Sequence, residues 1–290
     1  MKRGAENLRI RRGKQADAST IGDICYRAFK ALAEDHNFEP DFPSPDVAST
    51  MLAGLIAHDG FFDIVAELDG KIVGSNFLDE RNPISGVGPV TIDPAIQNDG
   101  IGRALMVAAM QRSEERHFAG IRLVQAGYHN RSLALYLKLG FAVREPLACL
   151  QGHAIDKAVA GHTVRPATES DISTCNGLCI RVHGHARNGE LVDAVADGTA
   201  RVVEVDGHLT GYATSTAFSG HAVGESNGDL RALIGAAESF AGPGILVPTR
   251  NTGLMRWCLD EGLRITQTMT LMTIGLYNQP DGAWLPSVLY

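Results

Sequence analysis

The chain repeats itself, and this is what most restricts its fold. Arg11-Arg12-Gly13-Lys14-Gln15-Ala16-Asp17-Ala18-Ser19-Thr20 aligns without a gap with Arg165-Pro166-Ala167-Thr168-Glu169-Ser170-Asp171-Ile172-Ser173-Thr174. The match runs on to Cys25 with Cys179 and Arg27 with Arg181. Asp69-Gly70-Lys71-Ile72-Val73-Gly74 is echoed by Asp206-Gly207-His208-Leu209-Thr210-Gly211. A two-residue Asp-Gly between alternating apolar runs is a hairpin turn. The stretch from Asn130 to Phe141 returns in the stretch from Asn251 to Leu263, each ending in a glycine and an apolar residue. Three blocks in the same order predict two copies of one fold in series. At 290 residues the chain suits two such domains, since single cores stop growing at roughly this size. The expected division is a first domain over 1–150, a linker over 151–161 and a second domain over 162–290.

Only the first copy carries a phosphate cradle. Val90-Thr91-Ile92-Asp93-Pro94 reads as a β-branched strand ended by proline, followed by Gln97-Asn98-Asp99-Gly100-Ile101-Gly102-Arg103-Ala104 and a strongly apolar helix. Gly100 and Gly102 allow close approach to the backbone. The helix behind them directs unsatisfied N–H groups and a positive dipole end at the same place, where a phosphate is favoured. Two better-known cradles do not fit: no Gly-Lys-Ser/Thr follows, and Leu105 stands where a dinucleotide-binding loop needs its third glycine.

The segment resembles the pyrophosphate motif of the GNAT acetyltransferase superfamily, Q/R-x-x-G-x-G/A, at Gln97, Gly100 and Gly102. Asn130, Ala134, Tyr136, Gly140 and Phe141 fall at the spacing of a second signature of that superfamily, and the Asp69-Gly70 hairpin precedes the cradle as the family order requires. The resemblance implies a mixed α/β architecture of two tandem GNAT folds, each a central, mostly antiparallel twisted sheet flanked by helices. It implies acetyl-coenzyme A as cosubstrate, bound by Val90, Thr91, Ile92, Gln97, Asn98, Asp99, Gly100, Ile101, Gly102, Arg103, Ala104, Asn130 and Tyr136. It further implies transfer of the acetyl group to a primary amine by direct attack, with Tyr136 as the general acid and a backbone N–H near Thr91 or Ile92 facing the developing oxyanion. Asn130 is expected both to cap its helix and to touch the cofactor.

The general base stays open. Many relatives carry a carboxylate on the strand before the cradle, but here that strand reads Ser85-Gly86-Val87-Gly88-Pro89-Val90-Thr91. Glu34, Asp35, His36, His129, the Tyr290 carboxylate and a water chain are the alternatives. From Ala31 to Asp63 there are seven acidic residues and no Lys or Arg. That segment reads either as a wall attracting a small cationic amine or as a solvated surface. A non-catalytic acyl-coenzyme A sensor or partner subunit is the rival function.

The second copy lacks the cradle. Its corresponding stretch is Gly224-Glu225-Ser226-Asn227-Gly228-Asp229, in which Ser226 or Asn227 suits a helix cap and Glu225 opposes a phosphate. Cys258 stands in the place of Tyr136. A structural role follows: packing on the first copy, closing the acceptor cleft or building a homodimer. The tail from Gly275 to Tyr290, with three aromatics and two prolines, is expected to be docked, across the domain interface on the plainest reading.

Composition narrows the partners. A formal charge of −7 without a basic cluster argues against nucleic acid. No run of 18 apolar residues suggests a membrane span, and the first residues have no apolar core of a secretory signal. Five scattered cysteines argue for free thiols in a reducing cytoplasm. Cys175 and Cys179 stand four apart, but no convincing second pair completes a metal site, so no metal is expected.

Overall fold

A computed structural model describes residues 7–97 and 99–289. The expectations placed on Asn98 and on the Tyr290 carboxylate lie outside the described residues. The chain forms two compact units: 1–80, 84–122 and 129–141 make the first, and 81–83, 123–128 and 142–290 the second.

In the first unit β1 (Leu8–Arg12) leads to α1 (Ala18–Asp35) and α2 (Pro45–Ala57). Then come β2 (Phe61–Leu68), β3 (Lys71–Asp79), β4 (Ile84–Val87), β5 (Thr91–Ile92), α3 (Ile101–Glu115), β6 (Gly120–Ala126) and α4 (Asn130–Lys138). Strands β1 to β4 follow one another antiparallel, β4 pairs parallel with the first residues of β6, and β5 pairs with β3. Side-chain alternation along β2 divides the core. Val65 joins Ile21, Cys25, Leu52 and Phe77 beneath α1 and α2, while Ile64 and Ala66 join Ile101 and Leu105 of α3 on the other face. Helix α2 starts where Ser44 accepts from the Val47 amide and Pro45 takes the first helical position, which needs no N–H.

The second unit contains β7 (Ala142–Gln151), β8 (Thr163–Pro166), α5 (Ile172–His183), α6 (Asn188–Ala196), β9 (Arg201–Val205), β10 (His208–Ala213) and β11 (Ala222–Gly224). It continues through α7 (Asn227–Gly235), β12 (Ile245–Pro248), α8 (Thr252–Asp260), β13 (Arg264–Gly275) and β14 (Ala283–Leu285). One sheet runs β14-β11-β10-β9-β8. In the other, β7 is flanked by β12 and β13, both antiparallel to it. The face pattern of the first unit recurs. Val202 packs with Cys175, Leu178 and Leu191 of α5 and α6, whereas Val203 packs with Leu230 and Leu233 of α7.

The repeat seen in the sequence is a repeat of interactions. Asp69 and Gly70 take φ of 51° and 77°, and Asp206 and Gly207 take 50° and 76°, the left-handed pair a tight hairpin requires. Arg11 grips Asp17 at 2.7 Å and Glu67 at 2.8 Å, and Arg165 grips Asp171 at 2.8 Å and Glu204 at 2.6 Å. Both hairpins also slip register beside the same place, between Ala66 and Glu67 in one and between Leu209 and Gly211 in the other. Among the described residues no helix is long and apolar enough to cross a membrane.

Hydrogen bonds from Arg11 and Arg165 hold the Asp17 and Asp171 carboxylates below the usual range. A carboxyl whose folded pKa is depressed contributes stability above its unfolded pKa of about 4 and loses it as pH falls toward the folded value. Urea unfolding of the native chain should therefore weaken steadily below about pH 5. Asp171→Asn should start about 1–2 kcal/mol less stable at pH 6 and decline less steeply.

Candidate functional site

The site begins at β5. Ile92 lies opposite Gly74 and Thr91 opposite Ser75 on β3. The fit is close: a Cβ on Gly74 would come within 2.6 Å of the Thr91 carbonyl oxygen. The Ser75 and Thr91 hydroxyls meet at 3.2 Å in the interior. Among the described residues β3 is the one strand partner of β5, so the other edge of Thr91–Ile92 offers backbone groups to an added strand. Val90, expected within this strand, precedes it.

From β5 the chain turns sharply under the control of two charges. The Asp93 amide extends the pairing by donating to the Val73 carbonyl at 2.9 Å. The Asp93 carboxylate accepts from the Ala95 amide at 3.0 Å, starting the short 3-10 turn Pro94–Ile96. Arg27 of α1 clasps the same carboxylate through both terminal nitrogens, at 3.1 and 3.2 Å, and its Nε donates to Asp23 at 2.8 Å. This guanidinium holds Asp93 below the usual carboxylate range. Sequence reasoning passed over Arg27 and Asp93 as site residues. The signal was the match of Arg27 to Arg181, for Arg181 pairs with Glu225 at 3.0 Å. The Glu225 amide in turn donates to the Thr210 carbonyl at 2.9 Å, as that of Asp93 does to Val73.

The cradle follows. Gly100 caps α3 with φ of 82° and ψ of 0°, a left-handed conformation that favours glycine. A Cβ on Gly100 would meet nothing within 4 Å. The first amide to enter the helical ladder is that of Ala104, donating to the Gly100 carbonyl at 3.0 Å. The N–H groups of Ile101, Gly102 and Arg103 precede it and have no carbonyl one turn back to reach. No acidic residue stands in the first turn. Asp99, Gly100 and Arg103 are exposed, Ala104 half-buried, and Ile101 is sunk in the core as the anchor of the helix.

Helix α4 is fastened to the cradle twice. Leu135 and Ile92 lie 3.7 and 3.2 Å from where a Gly102 Cβ would stand, and Arg131 donates to the Gln97 side-chain oxygen. Tyr136 is buried and packs edge-on to Phe141 at 6.0 Å. Burial pushes its phenol up to about 12, so it keeps its proton across the neutral range.

One expectation fails here: Asn130 does not cap α4. His129 takes the cap position and its carbonyl closes the first turn from the Leu133 amide at 3.2 Å, leaving Asn130 as the first helical residue with an exposed side chain. The Ser132 hydroxyl also donates to the His129 carbonyl, at 2.9 Å. In the second copy Asn251 occupies the corresponding position and does cap, accepting from the Leu254 amide at 3.3 Å. The two helices thus align through Gly140 and Gly262, with φ of 96° and 93°, which pairs His129 with Asn251.

The base candidates divide by setting. Burial, Arg131 and His36 lower His129 to about 4, leaving the ring neutral above that pH. Glu34, Asp35 and His36 are exposed around the end of α1, with Lys30 at 3.7 Å from Glu34. The acidic stretch is not uniform either. Asp63 turns inward and pairs with Arg12 at 2.7 Å, whereas Glu39, Asp46 and Asp59 face solvent. The second copy has no counterpart of the glycine turn: α7 starts three residues after β11, capped by Ser226.

Residues 27–141 match the acetyltransferase (GNAT) family. A mycothiol acetyltransferase of Amycolatopsis mediterranei is 35% identical over 96 residues, which cover 30% of this chain and 31% of that protein. The match thus spans under a third of the curated relative. Across the whole chain the fold is similar to a crystal structure from Pyrococcus horikoshii of a protein assigned as an acetyltransferase, with a TM-score of 0.75 at 16% identity, covering 98% of this chain and 95% of that one. A tandem GNAT protein from the clavulanic acid biosynthesis pathway, at 14% identity, gives a TM-score of 0.57 over 93% of this chain and 98% of its own.

The two glycines should respond differently to a methyl group. Gly100→Ala should cost about 1–2 kcal/mol, because the left-handed turn is strained for any residue with a Cβ. Gly102→Ala should lie within about 0.5 kcal/mol of the native chain, since helix propensity offsets a small shift of the Ile92 side chain. Equilibrium urea unfolding measures both.

Proposed function

We propose that the first unit, on the strength of the match of residues 27–141 to the acetyltransferase (GNAT) family, transfers an acetyl group from acetyl-coenzyme A to the primary amine of a small cationic acceptor. The observation that carries this reading is the head of α3: a left-handed Gly100 with open space, first-turn amides with no carbonyl one turn back, and no carboxylate in that turn. Such a seat suits a diphosphate. When bound, acetyl-coenzyme A supplies an activated thioester.

The residues divide the work. The amides of Ile101, Gly102 and Arg103 hold the diphosphate, and the free edge of Thr91–Ile92 aligns the amides of the pantetheine arm as an added strand. Fixing both ends of the cosubstrate orients the reacting carbon and lowers the entropic part of the barrier. A backbone N–H near Thr91 or Ile92 faces the oxygen on which negative charge grows. Tyr136, kept protonated by burial, would give its phenolic proton to the departing sulfur and regain one from the nitrogen as the amide forms. An alkylammonium must first give up a proton. Neutral His129, beside Arg131 and His36, takes a hydrogen bond from the amine or from a water that carries its proton away. The exposed Glu34, Asp35 and Glu39 favour approach of a cation.

Calorimetric titration with acetyl-coenzyme A tests the cradle. One site per chain, lost in a Gly100→Glu/Gly102→Glu variant, is the expected result; no binding refutes the proposal. Tyr136→Phe should keep the affinity and lower turnover of a primary-amine acceptor at least about 100-fold. Tight binding without turnover of any amine by the native chain would leave the acyl-coenzyme A sensor as the function.

A further inference from the structure

The second unit holds a segment of its own chain in the place where the first offers an empty strand edge. Gly211 occupies the position of Gly74 in the repeated hairpin, and it faces Gly224 as Gly74 faces Ile92. Strand β11 is therefore the counterpart of β5. The far edge of β5 has no strand beside it among the described residues, but that of β11 is taken: Gly224, Val223 and Ala222 pair with Ala283, Trp284 and Leu285 of β14.

The anion seat is filled as well. Asp229 folds back over the head of α7 and accepts from the Ser226 amide at 2.8 Å, the Ser226 hydroxyl at 3.0 Å and the Thr210 hydroxyl at 2.5 Å. The Gly228 amide donates to Ser226 Oγ at 3.1 Å. A carboxylate and a hydroxyl made by the chain thus stand at the head of α7, whereas the first turn of α3 carries no acidic residue and, among the described residues, no side-chain cap.

The rest of the tail is fixed on both sides of β14. The Asp281 amide donates to the Val182 carbonyl at 2.8 Å and the Val288 amide to the Phe218 carbonyl at 2.9 Å. The Asn278 side chain donates to the His183 carbonyl at 3.1 Å, and Trp284 meets the His183 ring edge-on at 5.4 Å. Gly282 allows the closest approach: its φ is 146°, and a Cβ there would stand 2.8 Å from Val182 and 3.1 Å from the Gly224 carbonyl oxygen. Beside the tail a cavity of about 450 Å³ remains, walled by Glu145, Glu225, Asn227, Asn251 and the ring of Trp284.

We infer that residues 278–288 are a resident ligand of the second repeat: β14 takes the strand slot beside β11, Asp229 takes the anion seat, and together they close this repeat to a nucleotide-bearing cosubstrate. The inference rests on the register of the two hairpins and does not depend on the activity proposed for the first unit.

The test uses the full chain carrying Trp257→Phe, in which Trp284 is the one remaining indole. Its emission should be that of a buried indole and stay unchanged at saturating acetyl-coenzyme A. A red shift on adding acetyl-coenzyme A, or a second bound molecule per chain, would show that the slot is a working site and overturn the inference. In parallel, Gly282→Val should speed hydrogen exchange at Ala222 and Gly224, the β11 residues whose amides face β14, by about tenfold or more while leaving Thr91 and Ile92 unaltered. Equal protection of Ala222 and Gly224 in both chains overturns it too. If acetyl-coenzyme A does not bind the native chain at all, the function proposed above fails, while the exchange measurement still decides this point.

Discussion

A helix cannot satisfy the N–H groups of its own first turn, and the two repeats answer that constraint in opposite ways. Helix α3 is introduced by a left-handed glycine, and among the described residues no side chain caps it. Helix α7 is introduced by Ser226 and closed by Asp229, which is buried and hydrogen-bonded to three donors. One arrangement is chemically open and the other chemically complete. The copies diverge in the few residues joining β5 to α3 and β11 to α7 and in the added strand β14, while the hairpins and the helices flanking them are built alike.

Keeping an open helix head in position requires support from elsewhere in the first unit. Arg27 and Asp93 tie the turn after β5 to α1, Arg131 ties Gln97 to α4, and Ile92 and Leu135 back Gly102. These ties hold the turn after β5 and the head of α3 to α1 and α4. The Arg181–Glu225 pair in the second copy keeps the same electrostatic tie although the loop it once would have braced is six residues shorter by the span from Ile92 to α3 against that from Gly224 to α7.

What could be read beforehand was local. The Asp-Gly turns leave marks within a short window and appear as expected, whereas the repeated Arg and Asp six residues apart, legible only as an alignment, prove to be ion pairs. The failures are non-local or a matter of one residue. His129 displaced Asn130 from the cap because the last carbonyl before the helix, and not the better capping side chain, sets where the turn closes. Asp63 looked like part of an acidic face until Arg12, far away in sequence, was found beside it. Nothing in the tail announced β14, since its three apolar residues acquire meaning only from the free edge of β11.

Strand β7 carries a consequence for how the chain is made. It lies between β12 and β13 in the second unit, so both of its partners belong to residues 245–275. During synthesis β7 leaves the ribosome long before either neighbour exists, with both edges bare. Exposed strand edges invite pairing with other chains. The nascent protein must therefore pass through an extended interval in which an apolar strand is shielded by something other than its final sheet. The same placement means that a chain starting after residue 151 would lack the strand on which both β12 and β13 pair.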